Sequence, residues 1–409
     1  MHQEIRRVVK EHYSSLFSTL YARFRDIDLV EDGLQDTFEK ALVKWSEDPP
    51  SEPAAWLYTA AKNRILDILK KSNRFPDVVP EHGAYDSSIQ AMEEDRVLDE
   101  QFRLMCMCCH PALAERVQVL LTLKLVAGLA VEEIAAVLVM KPKTVGQTIT
   151  RAKAKIKLAG IPFKTPNESD LFDRLAVIQK ILFLLFNEGY HSNSEHSLYR
   201  IDLCKEAIRL GELLVSLHFD GAESEALLCL MLYQHSRSSA RSTVDGQPVL
   251  LKDQNRSLWN QEMIRAANIY INNIRINIQN KQAGPYAFQA AIASEYAHAE
   301  TFEESNWHHI CWLYSELFLL KPDPIILLSW LIAESYRSSP AHALELMERH
   351  YLEGHLKDYR WFYSSRGELH SKAGDADKAI LDLEHALSIT RNPGERRFLE
   401  KRIKEVKSR

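Results

Sequence analysis

The sequence has no apolar run long enough to cross a bilayer. Its most apolar stretches, residues 181–186 and 325–333, fall far short of the roughly twenty residues that a transmembrane helix needs. The first residues also lack the apolar core of a secretory signal. Six cysteines, three of them crowded within residues 106–109, do not make the disulfide framework of a secreted protein. These absences predict a soluble protein of the reducing cytoplasm that does not bind membranes.

Patterns typical of enzymes are missing as well. The C-terminal half has no nucleophile beside a base, no phosphate-binding loop and no HExxH spacing. Cys106, Cys109 and His110 lie at i, i+3 and i+4, on one helix face, and can supply three zinc ligands. Because a fourth ligand is not identified and buried cysteines are commonly inert, we expect no metal, no cofactor and no enzyme activity; a metal or redox site at this cluster is the open alternative.

Charge is distributed unevenly along the 409 residues. The net charge of −5 is mild, but residues 76–110 are acidic and residues 111–164 are basic. No acid occurs between Met140 and Lys164. A basic island in a mildly acidic protein indicates one dedicated surface for nucleic acid.

The basic island has the pattern of two helices joined by a tight turn. Residues 131–138 show apolar residues at helical spacing, with acids near the start, and Pro142 suits the first position of a second helix. One face of that second helix is apolar, carrying Val145, Ile149, Ala152 and Ile156. Its other positions are rich in lysine, which favours a recognition helix in a DNA major groove over the plainer alternative of a solvated lysine face.

Three further helix patterns come earlier, over residues 4–24, 28–42 and about 54–72. Residues 32–38 read DGLQDTF and residues 56–67 read WLYTAAKNRILD. These two strings resemble region 2 of the extracytoplasmic-function sigma factors of RNA polymerase.

Three short strings in the basic island resemble region 4 of the same family. They are Glu133-Ile134-Ala135, Thr144-Val145 and Arg151-Ala152-Lys153. Since both halves occur in the right order, one linker apart, the chain is identified as similar to these sigma factors. The resemblance implies that it binds core RNA polymerase, through the β′ clamp and the β flap, and promoter DNA.

The resemblance also assigns roles to individual residues. It implies contact with the β′ clamp for Asp32, Gln35, Asp36 and Phe38, although core packing is an even alternative for Phe38. It implies binding of the melted −10 element for Trp56, Lys62, Asn63, Arg64, Lys70, Lys71 and Arg74. It implies binding of the −35 element for Lys143, Thr144, Gln147, Thr148, Arg151 and Lys155.

The recognition helix departs from the family at one point. Most members carry a small-polar or basic trio after Thr-Val, often Lys-Ser-Arg, whereas this chain has Gly146-Gln147-Thr148. The departure removes two charges at the groove and leaves the promoter sequence open. Gln147 remains able to read adenine through a bidentate contact.

We predict an all-α fold of three domains: a region 2 bundle over residues 1–75, a region 4 helix-turn-helix domain over 101–162, and a tetratricopeptide-like helical repeat domain over 163–409. An acidic linker, residues 76–100, joins the first two. Gly367, Ala379, Leu383 and Ala386 lie at the offsets of a degenerate repeat.

The predicted function is that of a sigma factor that directs promoter recognition, DNA melting and transcription initiation. The C-terminal domain is expected to regulate it in cis, with contact between that domain and the sigma domains as a further expected interaction. The alternative is a helical-repeat scaffold with a degenerate sigma-like half that binds DNA.

Overall fold

The computed structural model describes residues 2–46, 49–71, 94–138, 140–190, 199–217 and 221–408. Over these ranges the regular secondary structure is helical, apart from one isolated bridge between Ser242 and Pro248. The predicted all-α fold is therefore confirmed. The chain divides into two compact units, Met1–Ile181 and Leu182–Arg409.

The first unit begins with three helices at the predicted positions: α1 (His2–Phe24), α2 (Ile27–Lys44) and α3 (Pro53–Lys71). Asp26 caps α2, accepting hydrogen bonds from the backbone nitrogens of Asp28 and Leu29, each at 3.1 Å. Helices α2 and α3 pack closely because Gly33 has no side chain. A Cβ atom there would lie 2.4 Å from Cγ1 of Ile65.

The rest of the first unit contains α4 (Glu94–Cys108), α5 (Glu115–Leu121), a π-helical turn (Thr122–Val126), α6 (Val131–Val137), α7 (Pro142–Leu158) and the first half of α8 (Glu168–Tyr190). Because α4 begins at Glu94, residues 94–100 are helical, and the predicted linker over 76–100 is wrong for these residues. Residues 76–93 lie outside the described part of the chain. The unit also continues past residue 162, our expected end of region 4, to Ile181.

The helix-turn-helix prediction is confirmed in its local geometry. Helices α6 and α7 pack against each other, and all four apolar residues predicted for the inner face of α7 are buried. Glu133 accepts a hydrogen bond from the Ala130 backbone nitrogen at 2.8 Å, which closes the first turn of α6. Pro142 occupies the first turn of α7, as expected.

The second unit contains the end of α8 followed by a series of helices. They are α9 (Ile201–Ser216), α10 (Gly221–Ser236), α11 (Gln261–Gln279), α12 (Pro285–His298), α13 (Trp307–Leu320), α14 (Pro324–Arg337), α15 (Pro340–Arg349), α16 (Leu352–His355), α17 (Arg360–Lys372), α18 (Ala376–Ile389) and α19 (Pro393–Lys407). Many helices pack against the next one in the chain, the strongest such pair being α17 with α18. A stack of helical hairpins is the arrangement of a repeat protein.

The α17–α18 hairpin shows why small residues recur at repeat offsets. A Cβ atom on Gly367 would lie 3.0 Å from Cγ of Leu383 and 3.1 Å from the Ala379 carbonyl oxygen. Ala379, Leu383 and Ala386 are buried in the same core. The small side chains let the two helices approach closely.

One part of the extension departs from the predicted helical pattern. Between α10 and α11 the chain forms only short 3₁₀ turns, at Ser238–Ala240, Leu251–Asp253 and Arg256–Leu258. Within the described ranges, no helix combines the length and the apolar character that a membrane crossing requires.

Candidate nucleic-acid interface

The first two turns of α7 present polar side chains to solvent. Lys143, Thr144 and Gln147 are exposed, and Arg151 follows one turn later, also exposed. Neither Lys143 nor Arg151 makes an ion pair within the described ranges. These two cations are therefore free to meet phosphate groups, and Gln147 lies between them.

Two other residues predicted for the −35 site already have partners. Thr148 is half-buried and donates its hydroxyl hydrogen bond to the Thr144 carbonyl oxygen at 2.8 Å, back along the helix. The Lys155 ammonium donates to the Ala112 carbonyl oxygen, in the segment between α4 and α5. The available surface is thus centred on the first half of α7.

Lys153 points away from this surface, toward α2. Its ammonium lies 2.8 Å from a carboxylate oxygen of Asp28 and also contacts Glu31. The side chains of Lys153 and Glu31 are only 16% and 17% exposed. Burial lowers the pKa of Lys153, but the two carboxylates outweigh this effect and raise it overall.

Neighbouring contacts extend the junction between region 2 and region 4. Lys124 lies 3.5 Å from Glu31, and the Arg25 guanidinium stacks on the Phe163 ring at 4.6 Å from its centroid. Behind them, Gly128 (φ +67°) lies so close to Tyr13 that a Cβ atom would come within 2.6 Å of its ring. Sequence reasoning missed this junction, because its partners are more than a hundred residues apart.

Helix α3 carries the residues predicted for the −10 element. Asn63, Lys70 and Lys71 are exposed, as a single-strand contact requires. Asp67 is exposed on the same side, one turn after Asn63, and introduces a negative charge that the predicted set left out. Arg74 lies outside the described residues.

The other members of the predicted −10 set are partly engaged inside the bundle. The Trp56 ring packs edge-on against Trp45, 5.4 Å between centroids, and is half-buried. Lys62 is also half-buried. Arg64 forms an ion pair with Asp36, so a residue predicted for DNA contact and one predicted for polymerase contact hold each other.

The remaining residues predicted to bind polymerase follow α2. Asp32 and Gln35 are exposed, and the Gln35 amide donates a hydrogen bond to Glu39 at 3.4 Å. Phe38 is half-buried, with its ring 6.2 Å from that of Tyr13. Asp32 is therefore the most accessible acid of the predicted set.

The cysteine cluster lies in the core of the first unit. Cys106 and Cys109 are buried, and Sγ of Cys109 lies 3.7 Å from the Thr122 hydroxyl. Burial raises the pKa of Cys109 to about 12, which disfavours the thiolate that metal binding needs. His110 Nδ1 accepts a hydrogen bond from the Ala112 backbone nitrogen at 3.2 Å. Across the described residues, no three His, Cys, Asp or Glu side chains are grouped so as to hold a metal ion.

Comparison with known families agrees with this geometry. Residues 8–75 match the family model for sigma-70 region 2, and residues 103–156 match that for sigma-70, region 4. Residues 174–275 match a family of unknown function (DUF6596). An uncharacterized protein of Rhizobium meliloti (strain 1021) is 36% identical over 387 residues, which cover 93% of this chain and 90% of that relative. The chain belongs to the extracytoplasmic-function sigma factors of the sigma-70 family, as a member with a C-terminal extension, and its two sigma domains are those of a promoter-recognition protein.

Proposed function

We propose that the protein binds core RNA polymerase and directs promoter recognition, DNA melting and transcription initiation, with no catalytic step of its own. One observation carries the proposal: region 2 and region 4 occur together in one chain, and each exposes polar side chains that suit its partner. A scaffold with a degenerate sigma-like half has no need for both surfaces.

The −35 element is assigned to the first half of α7. Lys143 and Arg151 bind phosphates on the two sides of the groove entry, while Thr144 and Gln147 face base edges. Thr148 and Lys155 support this surface through their intramolecular hydrogen bonds.

The −10 element is assigned to α3. Asn63 can donate to and accept from a base edge, and Lys70 and Lys71 are placed for backbone phosphates of the unpaired strand. Trp56, in contact with Trp45, supports the helix from inside. The Arg64–Asp36 ion pair joins this surface to the polymerase-binding face of α2.

Promoter binding requires the two regions to separate. Elements centred near −35 and −10 are about 25 base pairs apart, or about 80 Å of duplex at a rise of 3.4 Å per pair. In the structure, Lys153 of the recognition helix contacts Asp28 of α2 directly. We infer that this closed arrangement of the first unit is the form without promoter, and that the contact breaks before both elements are bound.

Polymerase binding is tested by reversing the charge of one exposed acid. Asp32→Lys is expected to weaken the affinity for core RNA polymerase by roughly tenfold or more, because it replaces attraction at a contact face with repulsion. Asp245→Lys, exposed in the second unit, is the matched control and is expected to bind normally. Affinity is measured by titration of labelled protein, together with transcripts from a promoter library. Normal binding by Asp32→Lys would favour the scaffold alternative.

We further propose that the second unit regulates the sigma domains in cis. The comparison is between the full chain and residues 1–181, because Arg174 and Lys180 of α8 contact the Cys106 carbonyl oxygen and Glu115 inside the first unit. Removing the second unit is expected to change promoter-dependent transcription by the purified holoenzyme. Equal transcription and equal polymerase affinity for the two chains would contradict regulation in cis.

A further inference from the structure

A cavity of about 340 Å³ lies among the helices of the second unit. Its wall comes from α8, α10, α12, α13 and α14, and four of its residues are tyrosines: Tyr190, Tyr233, Tyr296 and Tyr314. The volume corresponds to about eleven water molecules at roughly 30 Å³ each, which is room for a small organic molecule. Such a cavity, lined by aromatic rings with a few polar groups, is typical of a ligand site.

The cavity wall has one charged side chain, and it is a cation. Arg237 lies just after α10, and no aspartate or glutamate lines the cavity with it. Within the described ranges, the Arg237 guanidinium forms no ion pair. It donates to the Tyr190 hydroxyl and lies 5.8 Å from the centroid of the Trp259 ring. A partly buried guanidinium without a carboxylate lacks compensation for its charge.

Other cations near Arg237 increase the local positive potential. Arg256 donates to the carbonyl oxygens of Tyr296 and Ala299 at 2.7 and 2.8 Å, and its second terminal nitrogen is buried without a partner. Burial lowers the pKa of Arg256, and the charge of Arg237 lowers it further. Burial likewise lowers the pKa of Arg241, and Arg237 adds to that effect. The guanidinium groups therefore repel one another, and an anion beside Arg237 would relieve this repulsion.

We propose that this cavity binds a small organic anion, with its carboxylate or phosphate group on Arg237 and its body among the tyrosine rings. A guanidinium provides paired N–H donors that match both kinds of group. The Gln234 side chain also lines the cavity and makes no hydrogen bond with described residues, so it is available to a polar substituent of the ligand. This inference does not depend on the sigma-factor function and goes beyond it.

The test is calorimetric titration of the full chain with benzoate, phenyl phosphate and neutral benzamide. We expect at least one of the two anions to bind, and benzamide to bind at least tenfold more weakly than that anion. Arg237→Gln is expected to weaken anion binding at least tenfold, since hydrogen bonds to charged groups contribute about 1.5–3 kcal/mol. Arg391→Gln, which alters an exposed arginine of the same unit, serves as the control and retains the binding.

The two anions distinguish the source of the charged group. Binding of benzoate alone assigns a carboxylate ligand, and binding of phenyl phosphate alone assigns a phosphate ligand. Circular dichroism and thermal unfolding of Arg237→Gln check that the second unit is folded. Absence of binding by both anions, or equal binding by a folded Arg237→Gln variant, would overturn the proposal.

Discussion

Replacing both Lys143 and Arg151 with alanine is expected to weaken binding to promoter duplex roughly thirtyfold at 0.15 M salt. Both side chains are exposed on α7 and lack acidic partners within the described ranges, so their charges are available to phosphates. Each lost phosphate contact releases about 0.9 fewer counterions, and the slope of log affinity against log salt should therefore fall by about 1.8. Fluorescence anisotropy over a range of salt concentrations measures both quantities.

A neutral residue on the same helix separates charge from base reading. Gln147→Ala is expected to leave the salt slope unchanged and to reduce the preference for the cognate −35 sequence by about 1–3 kcal/mol. The pair Lys164→Ala and Lys321→Ala, two exposed lysines outside α7, controls for net charge and should keep the original slope. If the Lys143 and Arg151 double variant also keeps the original slope, the basic surface of α7 does not face DNA.

The behaviour of Lys155 shows what the structure adds to the sequence. From periodicity and charge alone, Lys155 and Arg151 are equivalent, because both lie on the polar side of α7. In the structure Lys155 donates to the Ala112 carbonyl oxygen, while Arg151 is free. Lys155→Ala should therefore change the salt slope less than Arg151→Ala does.

Local pattern was sufficient for the helices themselves. The apolar spacing of Val145, Ile149 and Ala152 predicted the buried face of α7, since a helical period fixes which residues share a side. The same reasoning located α1, α2 and α3 to within a few residues. Helix α4 was partly missed because residues 94–100 are rich in acids, a composition that equally suits a solvated linker.

Contacts between distant segments could not be predicted in this way. The Asp36–Arg64 pair and the Trp45–Trp56 pair depend on how two helices are turned toward each other. The cavity beside Arg237 is assembled from five helices, and none of their sequence patterns alone indicates a site. Charge patterns show which residues avoid the core, but the fold decides which of them meet.

The junction between region 2 and region 4 leads to the second large expected effect. Lys153→Glu places a third carboxylate beside Asp28 and Glu31, so attraction between α7 and α2 becomes repulsion. The affected pair is mostly buried, and its loss should shift the balance between closed and open forms by tenfold or more. Because apparent affinity scales with the open fraction, binding to core polymerase and promoter together should strengthen by the same factor wherever the closed form predominates.

Energy transfer between two dyes measures the opening directly. All six native cysteines are buried, whereas Val43 and Leu158 are 70% and 88% exposed, so Val43→Cys and Leu158→Cys provide selective labelling sites on α2 and α7. Transfer should be high in the parent chain and low in Lys153→Glu. Lys164→Glu makes the same charge change at a lysine without an ion pair and should resemble the parent. Unchanged transfer in a folded Lys153→Glu chain would mean that these ion pairs do not hold the two regions together, and that separation is controlled by the apolar contact of Gly128 with Tyr13.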